Sequence, residues 1–457
     1  MTHLLDGDMP APVGLNIVQI DTCWILCQIM MLIRLFSFSL LALLLTPAAR
    51  AYELLYTAII DPETKLARVE LALKGEDIPS KLVLNLSSGR YKDLKSTQDL
   101  QEKGDKAIWR TEGNESKLSY SFVIDNQRKN GGYDSRITKD WAILRSDKLI
   151  APISATSSGR SSDTRLKLVM PEGWSSALPY PEIEDGLYQI SDPNRRFVRP
   201  KGWMIVGKIG SRQDYISGTD TRISGPKGQN IRRQDVLAFL NWNLPELKKI
   251  FPLFPDHLLI VTADDPMWRG GLSGTRSLFM HADRPLISGN RTSSMIHELI
   301  HVGTGIHGDD QSDWIVEGIA EFYSLEILRR TGGISDDRYQ EAMDKLIRWG
   351  KKAPSLLVKR SSGPVTARAA GVMLELDKEI REASDGKASI DEVARALAST
   401  RGEVTLERFR KLSEQAAGRP VKTLTLENLT SKSNKILKDQ AKKSPDDGGG
   451  ERQGQDH

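Results

Sequence analysis

Residues 293–303 have the sequence SSMIHELIHVG, in which His297 and His301 lie four positions apart. In an α-helix, two residues at this spacing lie on the same face, so both imidazoles can bind one metal ion. Glu298 lies one position further round the helix, where it can address a metal-bound water without being a ligand itself. The spacing predicts a zinc centre with a carboxylate base. The alternative is a pair of structural histidines that are buried or cap the helix.

A catalytic zinc ion takes three protein ligands and keeps one position open. The segment DWIVEGIAEFYS, predicted to be helical, supplies Glu317 as the third ligand. Glu321 lies one turn further along the same face and can hydrogen-bond a ligand histidine, which fixes its tautomer. The other interpretation is a solvated acidic face. Two carboxylates on so apolar a helix would be costly without a cation. The residues that flank them are Ile315, Val316, Ile319, Ala320 and Phe322.

The elements that must position these residues fall into two regions. Residues 52–225 contain short segments of alternating apolar and polar residues, separated by Gly, Asp, Asn and Pro, which predicts an antiparallel β-sandwich domain. Residues 226–430 change mainly to helical spacing and form a second, mostly helical domain that carries the candidate site. Residues 431–457 are polar and indicate a disordered tail. The fold class is therefore α+β and multidomain.

The N-terminal segment has the layout of a secretory signal peptide over residues 31–51. Arg34 provides the positive start, residues 35–45 are apolar, and an Ala-x-Ala site ends at Ala51. Residues 1–30 are interpreted as an upstream extension. We expect an exported protein, periplasmic or extracellular, with no stable membrane span after cleavage. An uncleaved anchor is the alternative.

The positions of the cysteines and the net charge limit the metal ligands and the partners that the chain can have. Cys23 and Cys27 are the two cysteines of the chain, and both precede the predicted cleavage point. A metal site in the mature chain must therefore use histidine and carboxylate ligands. The net charge is +4, and no dense run of Lys and Arg with interleaved aromatics is present. Nucleic acid is accordingly not expected as a partner.

His-Glu-x-x-His followed by W-x-x-E-G-x-A-E resembles the gluzincin metallopeptidases, in particular the glycyl aminopeptidase family and its aminopeptidase N relatives. The resemblance implies an N-terminal β-sandwich joined to a thermolysin-like catalytic domain, a Zn²⁺ cofactor, and a peptide or protein substrate. His297, His301 and Glu317 correspond to the zinc ligands of the family. Glu298 corresponds to the general base, and Glu321 to the carboxylate that orients a ligand histidine.

The segment WRGGLSGTRSLFMH resembles the glycine-containing segment that precedes the zinc helix in these families. The resemblance implies that Gly270, Gly271 and Leu272 lead into an edge strand that pairs with the substrate backbone. Ser273 stands where the family has the glutamate that binds the free α-amine of the substrate. A neutral serine does not supply that charge, so strict aminopeptidase action is not expected. The alternative is a glycine turn between two strands.

The segment TARAAGVMLELDKEIR resembles a downstream helix of the glycyl aminopeptidase family, but the tyrosine expected before the apolar run is absent and Thr366 lies near its position. That tyrosine would hydrogen-bond the oxyanion. The candidates to replace it are Arg368, His307, Tyr339 and Tyr323. Either one of these residues is the donor or activity is weak.

These features predict an exported zinc-dependent metallopeptidase that hydrolyses peptide bonds, with Glu298 acting first as base and then as acid to the leaving amine. One alternative is a catalytically weak or inactive protein of the same fold that binds peptides or envelope partners. Another is a zinc hydrolase for non-peptide substrates.

Overall fold

The computed structural model describes residues 52–156 and 159–430, all within one unit, Ala51–His457. The predicted signal peptide and the predicted disordered tail lie outside the described residues. No helix within the described ranges is long and apolar enough to cross a membrane.

The first part of the described chain consists of strands and one short helix. Alternation of buried and exposed side chains is clearest in the first strand, where Tyr52, Leu54 and Tyr56 all face the core. The elements are β1 (Tyr52–Asp61), β2 (Leu66–Lys74), β3 (Lys81–Asn85), β4 (Tyr91–Ser96), β5 (Leu100–Lys103), β6 (Lys106–Arg110), β7 (Glu115–Val123), β8 (Asn126–Gln127), β9 (Tyr133–Ile137), β10 (Trp141–Arg145), α1 (Ser146–Leu149), β11 (Ile153–Thr156), β12 (Ser162–Val169), β13 (Ser175–Ala177), β14 (Glu182–Glu184), β15 (Leu187–Ile190) and β16 (Trp203–Gly207).

These strands form three sheets, in the orders β14-β15-β12-β1-β2-β7-β4, β13-β16-β10-β9-β8 and β11-β3-β6-β5. Apolar side chains from all three sheets share one core, with Phe122, Trp109 and Met204 among its buried members. The prediction of a purely antiparallel arrangement is wrong at one pair, because β1 and β12 run parallel, with Tyr52 opposite Ser162. The chain reaches β12 only after ten intervening strands, and no local pattern encodes that pairing.

The second part combines a sheet with helices. Its elements are β17 (Ile209–Ile216), β18 (Thr219–Pro226), α2 (Arg233–Ile250), β19 (His257–Ala263), β20 (Gly271–Gly274), β21 (Ser277–His281), α3 (Ser294–Thr304), β22 (Ile306–Gly308), α4 (Asp313–Arg330), α5 (Asp336–Gly350), α6 (Pro364–Ala383), α7 (Ile390–Thr400), β23 (Gly402–Val404), α8 (Leu406–Ala417) and α9 (Leu426–Leu429). The helices predicted over the two candidate-site segments are confirmed as α3 and α4.

The strands β17 to β21 form a mixed sheet in the order β17-β18-β19-β21-β20, which leaves β20 at an edge. The pairs β18–β19 and β19–β21 are parallel, and β20–β21 is antiparallel. The helices pack into one apolar core with this sheet. The proposed boundary at residue 225 falls within β18, and the division into domains and the thermolysin-like assignment stay predictions.

Candidate metal centre

Helix α3 has defined ends on both sides of the two histidines. It begins after Ser293, whose side chain accepts a hydrogen bond from the N–H of Ile296 at 3.3 Å. It ends at Gly305, which has a φ of 57° and donates its N–H to the carbonyl of His301 at 3.0 Å. A glycine adopts this left-handed conformation without strain, so the helix stops one turn after the second histidine. The caps therefore fix the frame in which His297 and His301 point to the same side.

Helix α4 brings Glu317 to the two histidines. The Nε2 atoms of His297 and His301 lie 3.2 Å apart. The Glu317 carboxylate oxygens lie 3.4 Å from Nε2 of His297 and 3.5 Å from Nε2 of His301. Tetrahedral zinc has ligand bonds of about 2.0–2.2 Å, which places ligand atoms about 3.3–3.6 Å apart. The two histidine nitrogens lie about this far apart, and each lies about this far from one oxygen of the Glu317 carboxylate, so the residues present fit a zinc ion.

The second carboxylate of α4 contacts the other side of one imidazole. Glu321 Oε2 lies 3.1 Å from Nδ1 of His297. A carboxylate only accepts hydrogen bonds, so Nδ1 donates and the Nε2 lone pair faces the candidate metal position. Burial lowers the pKa of His297, but the hydrogen bonds to Glu317 and Glu321 raise it by more. The pKa of His297 is therefore well above its usual value. The two carboxylates thus favour a positive charge at this point, which is carried by the protonated ring of His297 in the metal-free protein and by the metal ion once it displaces the proton on Nε2.

The second histidine has the opposite shift. Burial lowers the pKa of His301 to about 4, and the charge of His297 contributes in the same direction. The imidazole of His301 is therefore neutral at physiological pH, as a metal ligand must be. The two rings differ because the carboxylates of Glu317 and Glu321 both form hydrogen bonds with His297, whereas burial has the largest effect on His301.

Glu298 contacts β20 and lines one cavity with His297 and Glu317. Burial raises the pKa of its carboxyl, and His297 and the hydroxyl of Ser273 lower it only in part. A Cβ atom added at Gly271 would lie 2.7 Å from Cγ of Glu298, so the backbone of β20 approaches this side chain closely. The predicted base is therefore half-buried between the zinc-site helix and the edge strand.

The four predicted substrate-binding residues occupy β20 and the position before it. Gly270 and Gly271 line a cavity of about 480 Å³ together with Glu298. The carbonyl of Leu272 accepts a hydrogen bond from the indole of Trp203 at 2.8 Å. The carbonyl of Ser273 accepts a hydrogen bond from the guanidinium of Arg145 on β10 at 3.3 Å. The glycine-turn interpretation is incomplete, because the segment forms a strand held in place from the first part of the chain.

Two cavities meet at the candidate metal centre. His297 and Glu298 line the smaller cavity of about 480 Å³, whereas His301 and Ser273 line a larger cleft of about 1360 Å³. Glu317 lines both. An extended chain that follows β20 would pass from one cavity to the other beside the three donor atoms.

The structure does not bring most of the candidate oxyanion donors to this centre. Arg368 donates to the backbone carbonyls of Ala353 at 3.0 Å and Asn428 at 2.6 Å, and it lines a separate groove. Tyr339 is buried on α5 with a guanidinium 5.3 Å from its ring centroid. Both predictions need correction, because the packing of α5, α6 and α9 decides where these side chains point.

The other two candidates for the role of the missing tyrosine, Tyr323 and His307, lie in different surroundings. Tyr323 is fully buried, and its hydroxyl donates to Asp391 at 2.7 Å, so it is held away from the metal centre. His307 is exposed on β22 and lines the larger cleft with His301 and Glu317. It is the one oxyanion candidate from the sequence that shares a cavity with the donor atoms.

Several residues that line the smaller cavity were not predicted as site residues from the sequence. Trp268, Trp349, Ser361 and Thr366 all line the smaller cavity with His297. Thr366 could have been predicted from the sequence, because it lies on α6 near the position where the family has the tyrosine. The others come from loops and from the end of α5, where no motif distinguishes them.

A second group of possible ligands lies outside this centre. Asp265, His281 and Asp283 place their donor atoms within 4.8 Å of one another. Arg269 already forms ion pairs with both aspartates. The N–H of Asp283 donates to Nδ1 of His281 at 3.2 Å, so the proton of the neutral ring lies on Nε2 and blocks metal binding there. The arginine already interacts with both carboxylates, which are exposed to solvent.

Comparison with known proteins adds little from sequence. No family model matches the chain. A curated relative, the phenylalanine–tRNA ligase alpha subunit of Methanopyrus kandleri, is 27% identical over 157 residues, which cover 31% of this chain. The alignment spans 27% of that relative, so most of the ligase subunit has no counterpart in it.

Solved structures provide the stronger similarity. An aminopeptidase N family protein from Idiomarina loihiensis superposes with a TM-score of 0.58 at 14% identity, over 84% of this chain and 75% of that one. Native leukotriene A4 hydrolase from Saccharomyces cerevisiae gives a TM-score of 0.49 at 14% identity, over 80% and 64% of the two chains. The first similarity shows that the chain has an aminopeptidase-like fold with mixed α/β composition.

Proposed function

We propose that the protein is a zinc-dependent hydrolase that cleaves peptide bonds. The observation that carries the proposal is the convergence of His297, His301 and Glu317. The two Nε2 atoms lie 3.2 Å apart, and the two oxygens of the Glu317 carboxylate lie 3.4 and 3.5 Å from them. The half-buried Glu298 occupies the next position of the same helix. The aminopeptidase-like fold supports the assignment without deciding it.

His297, His301 and Glu317 would hold the zinc ion. When bound, zinc supplies a Lewis acid that activates water and polarises a carbonyl. Glu298 accepts a proton from the attacking water on its carboxylate and passes that proton to the leaving amine as the C–N bond breaks. Burial prepares Glu298 for both steps, because a raised pKa brings the carboxyl closer to the pH at which it must take and give a proton.

The edge strand β20 suits an extended peptide. An edge strand leaves backbone groups without a partner strand, and a substrate backbone can pair with them. Gly271 leaves room for Glu298 against the strand, and Ser273 carries no charge to bind a free α-amine. We therefore propose cleavage that does not require a free N-terminus.

The test uses the chain from Tyr52, with Glu298→Gln as the inactive variant and Glu407→Gln as the matched control. Glu407 is exposed on α8, away from the cavities. We expect the wild type and Glu407→Gln to bind about one zinc and to cleave a mixed peptide library. Glu298→Gln should bind zinc equally and cleave at least a hundredfold more slowly. Identical products from wild type and Glu298→Gln would refute the proposal.

A second candidate is a peptide-binding protein with little or no catalytic activity. It is favoured by the positions of Arg368, Tyr339 and Tyr323, which are held away from the centre and leave no tyrosine or arginine from that set to stabilise an oxyanion. The same experiment separates the two functions. Zinc and peptide binding by the wild type, with no cleavage beyond Glu298→Gln, would favour the binding protein.

We also propose export, based on the signal-like sequence of residues 31–51. Fractionation of cells that express the full chain, followed by N-terminal sequencing of the mature form, tests it. Recovery of the periplasmic or secreted protein starting at Tyr52 supports export. Recovery of the intact chain in the cytoplasm would refute it.

A further inference from the structure

We propose that Arg276 and Arg401 form a subsite for a carboxylate of the substrate, in the larger cleft beside the metal centre. The inference rests on the proposed function, because it names the kind of peptide that this site would select. The carboxylate is either an acidic side chain or the free C-terminus of the peptide, and both present the same group to a guanidinium.

The two arginines lie in the same cleft as the metal donors. Arg276 is in the turn between β20 and β21, and Arg401 follows α7 directly. Both line the cleft of about 1360 Å³ together with His301 and Glu317. A peptide that runs along β20 past the three donor atoms therefore reaches the arginines on one side of the scissile bond.

Neither guanidinium forms an ion pair with a carboxylate of the described residues. Arg276 lies over the ring of Tyr180, with 5.6 Å between the guanidinium carbon and the ring centroid. Arg401 donates to the backbone carbonyl of Leu253 at 2.8 Å and packs against Gly305. Both side chains are held in place by neutral groups, so their charges remain available to a ligand.

The other cations of this cleft are already paired. Arg145 lies 3.0 Å from Asp147. Lys201 and Arg195 lie 3.2 Å and 3.6 Å from the same carboxylate, that of Asp192. The contrast separates Arg276 and Arg401 from a general basic surface, on which all cations would be equally solvated.

Among the described residues, no carboxylate of the cleft forms an ion pair with either arginine, and the nearby charge of Asp192 acts on Arg401 only from a longer distance. Asp192 is occupied by Lys201, and Glu317 faces the two histidines. Asp313, at the start of α4, accepts a hydrogen bond from the N–H of Ser361. Asp256 is exposed, and no ion pair joins it to either arginine.

Two further observations indicate that the pair is built at some cost. Burial lowers the pKa of Arg401, and the nearby charge of Arg276 lowers it further, so the two guanidiniums repel each other; the charge of Asp192 offsets these effects only in part. Arg276 and Arg401 also have positive φ values of 54° and 51°. A non-glycine residue in this left-handed region is strained, and such positions concentrate at binding sites. A carboxylate between the guanidiniums would relieve the repulsion.

A guanidinium favours a carboxylate over other acceptors, because its planar N–H groups match the two carboxylate oxygens. Ser273, which lies in the same cleft, offers no negative charge that would repel such a group. The cleft is therefore expected to select acidic rather than basic peptides.

The experiment compares peptides of one sequence, all cleaved at the same bond. The first has an amidated C-terminus and Glu at successive positions on either side of the bond. The second has Gln at those positions, and the third has Gln with a free C-terminal carboxylate. Cleavage by the wild type and binding to zinc-loaded Glu298→Gln, measured by calorimetry, are the two readouts. We expect one acidic position, or the free C-terminus, to raise both kcat/KM and affinity about tenfold or more over the Gln peptide.

Arg276→Gln and Arg401→Gln should each reduce this preference to about twofold or less. Arg195→Gln is the matched control, because it removes the same charge from the same cleft but from a residue paired with Asp192. It should keep the preference. Circular dichroism verifies folding. Where one arginine variant does not fold, the other tests the assignment, and the wild-type comparison still decides whether the cleft prefers a carboxylate.

The experiment can refute the subsite and the proposed function independently of each other. Equal cleavage and equal binding of acidic and neutral peptides would overturn the subsite and leave the peptidase intact. Absence of cleavage for all peptides would refute the peptidase, and tighter binding of acidic peptides, lost in Arg401→Gln, would still support the subsite. A preference that Arg195→Gln loses as completely as Arg401→Gln would refute the assignment to this pair.

Discussion

Glu321 Oε2 lies 3.1 Å from Nδ1 of His297, on the side of the ring opposite the nitrogen that faces Glu317. One helix, α4, thus supplies a candidate metal ligand and, one turn later, the carboxylate that orients a ligand on α3. The centre therefore depends on the register of α4 against α3 rather than on separate loops.

Replacing Glu321 with glutamine should weaken zinc binding about 10- to 100-fold. The amide keeps the size of the side chain but loses the charge that favours the oriented His297 ring. Competition of the purified protein with a chelator of known affinity measures the change. Glu407→Gln should bind zinc as the wild type does. Unchanged affinity in Glu321→Gln would show that this contact does not support the metal.

Gly271→Ala should reduce peptide cleavage at least tenfold while zinc binding is retained. The added Cβ would lie 2.7 Å from Cγ and 2.9 Å from Oε1 of Glu298, so the base must move. At Gly289 a Cβ meets no atom within 4 Å, which makes Gly289→Ala the matched control. Peptide kinetics and zinc stoichiometry of both variants provide the comparison. Full activity of Gly271→Ala would contradict the placement of Glu298 against β20.

Gly318→Ala should destabilise the protein by about 1–3 kcal/mol. In an open helix the same change would stabilise by up to about 1 kcal/mol, since alanine is the better helix former. Here the new Cβ would lie 2.8 Å from Cβ of Ala369 on α6 and 3.0 Å from Cε of Met373, and α4 and α6 must separate. Urea unfolding measures the free energy. A stabilised variant would show that the two helices do not pack this closely.

Asp391→Asn should lower the free energy of unfolding at neutral pH by about 1.5–3 kcal/mol. The Asp391 carboxylate lies 2.7 Å from Arg330 and accepts a hydrogen bond from Tyr323 at 2.7 Å. Burial raises the pKa of Asp391, but these two partners outweigh it, and the net pKa is lower than usual.

The pH dependence of this contribution follows from that direction. The folded pKa of Asp391 lies below the unfolded value of about 3.9, so the stabilisation is complete above that pH and is lost as the pH falls through the folded pKa. The difference in unfolding free energy between wild type and Asp391→Asn should therefore shrink below about pH 4. Asp105→Asn, at an exposed turn position, should show no such trend. A difference that stays constant from neutral to acid pH would contradict this account.

Much of the candidate centre could be predicted because its information is local. His297, Glu298 and His301 belong to one helix, and helical geometry alone relates their side chains. Glu317 was identifiable since a carboxylate on an apolar helix requires compensation. The strands of the first region were visible from alternation, but the parallel pairing of β1 with β12 was not, because it depends on contacts between distant segments.

The amino-acid sequence by itself determined which side chains are available for metal chemistry and which helix faces they occupy, since these depend on residue type and on the 3.6-residue period. The tertiary structure alone decided that Arg368 and Tyr339 are held elsewhere and that Thr366 lines the smaller cavity. It also decided that Arg276 and Arg401, 125 positions apart in the chain by their numbers, share one cleft. Such placements arise from the packing of whole elements, and no short segment of the chain contains that information.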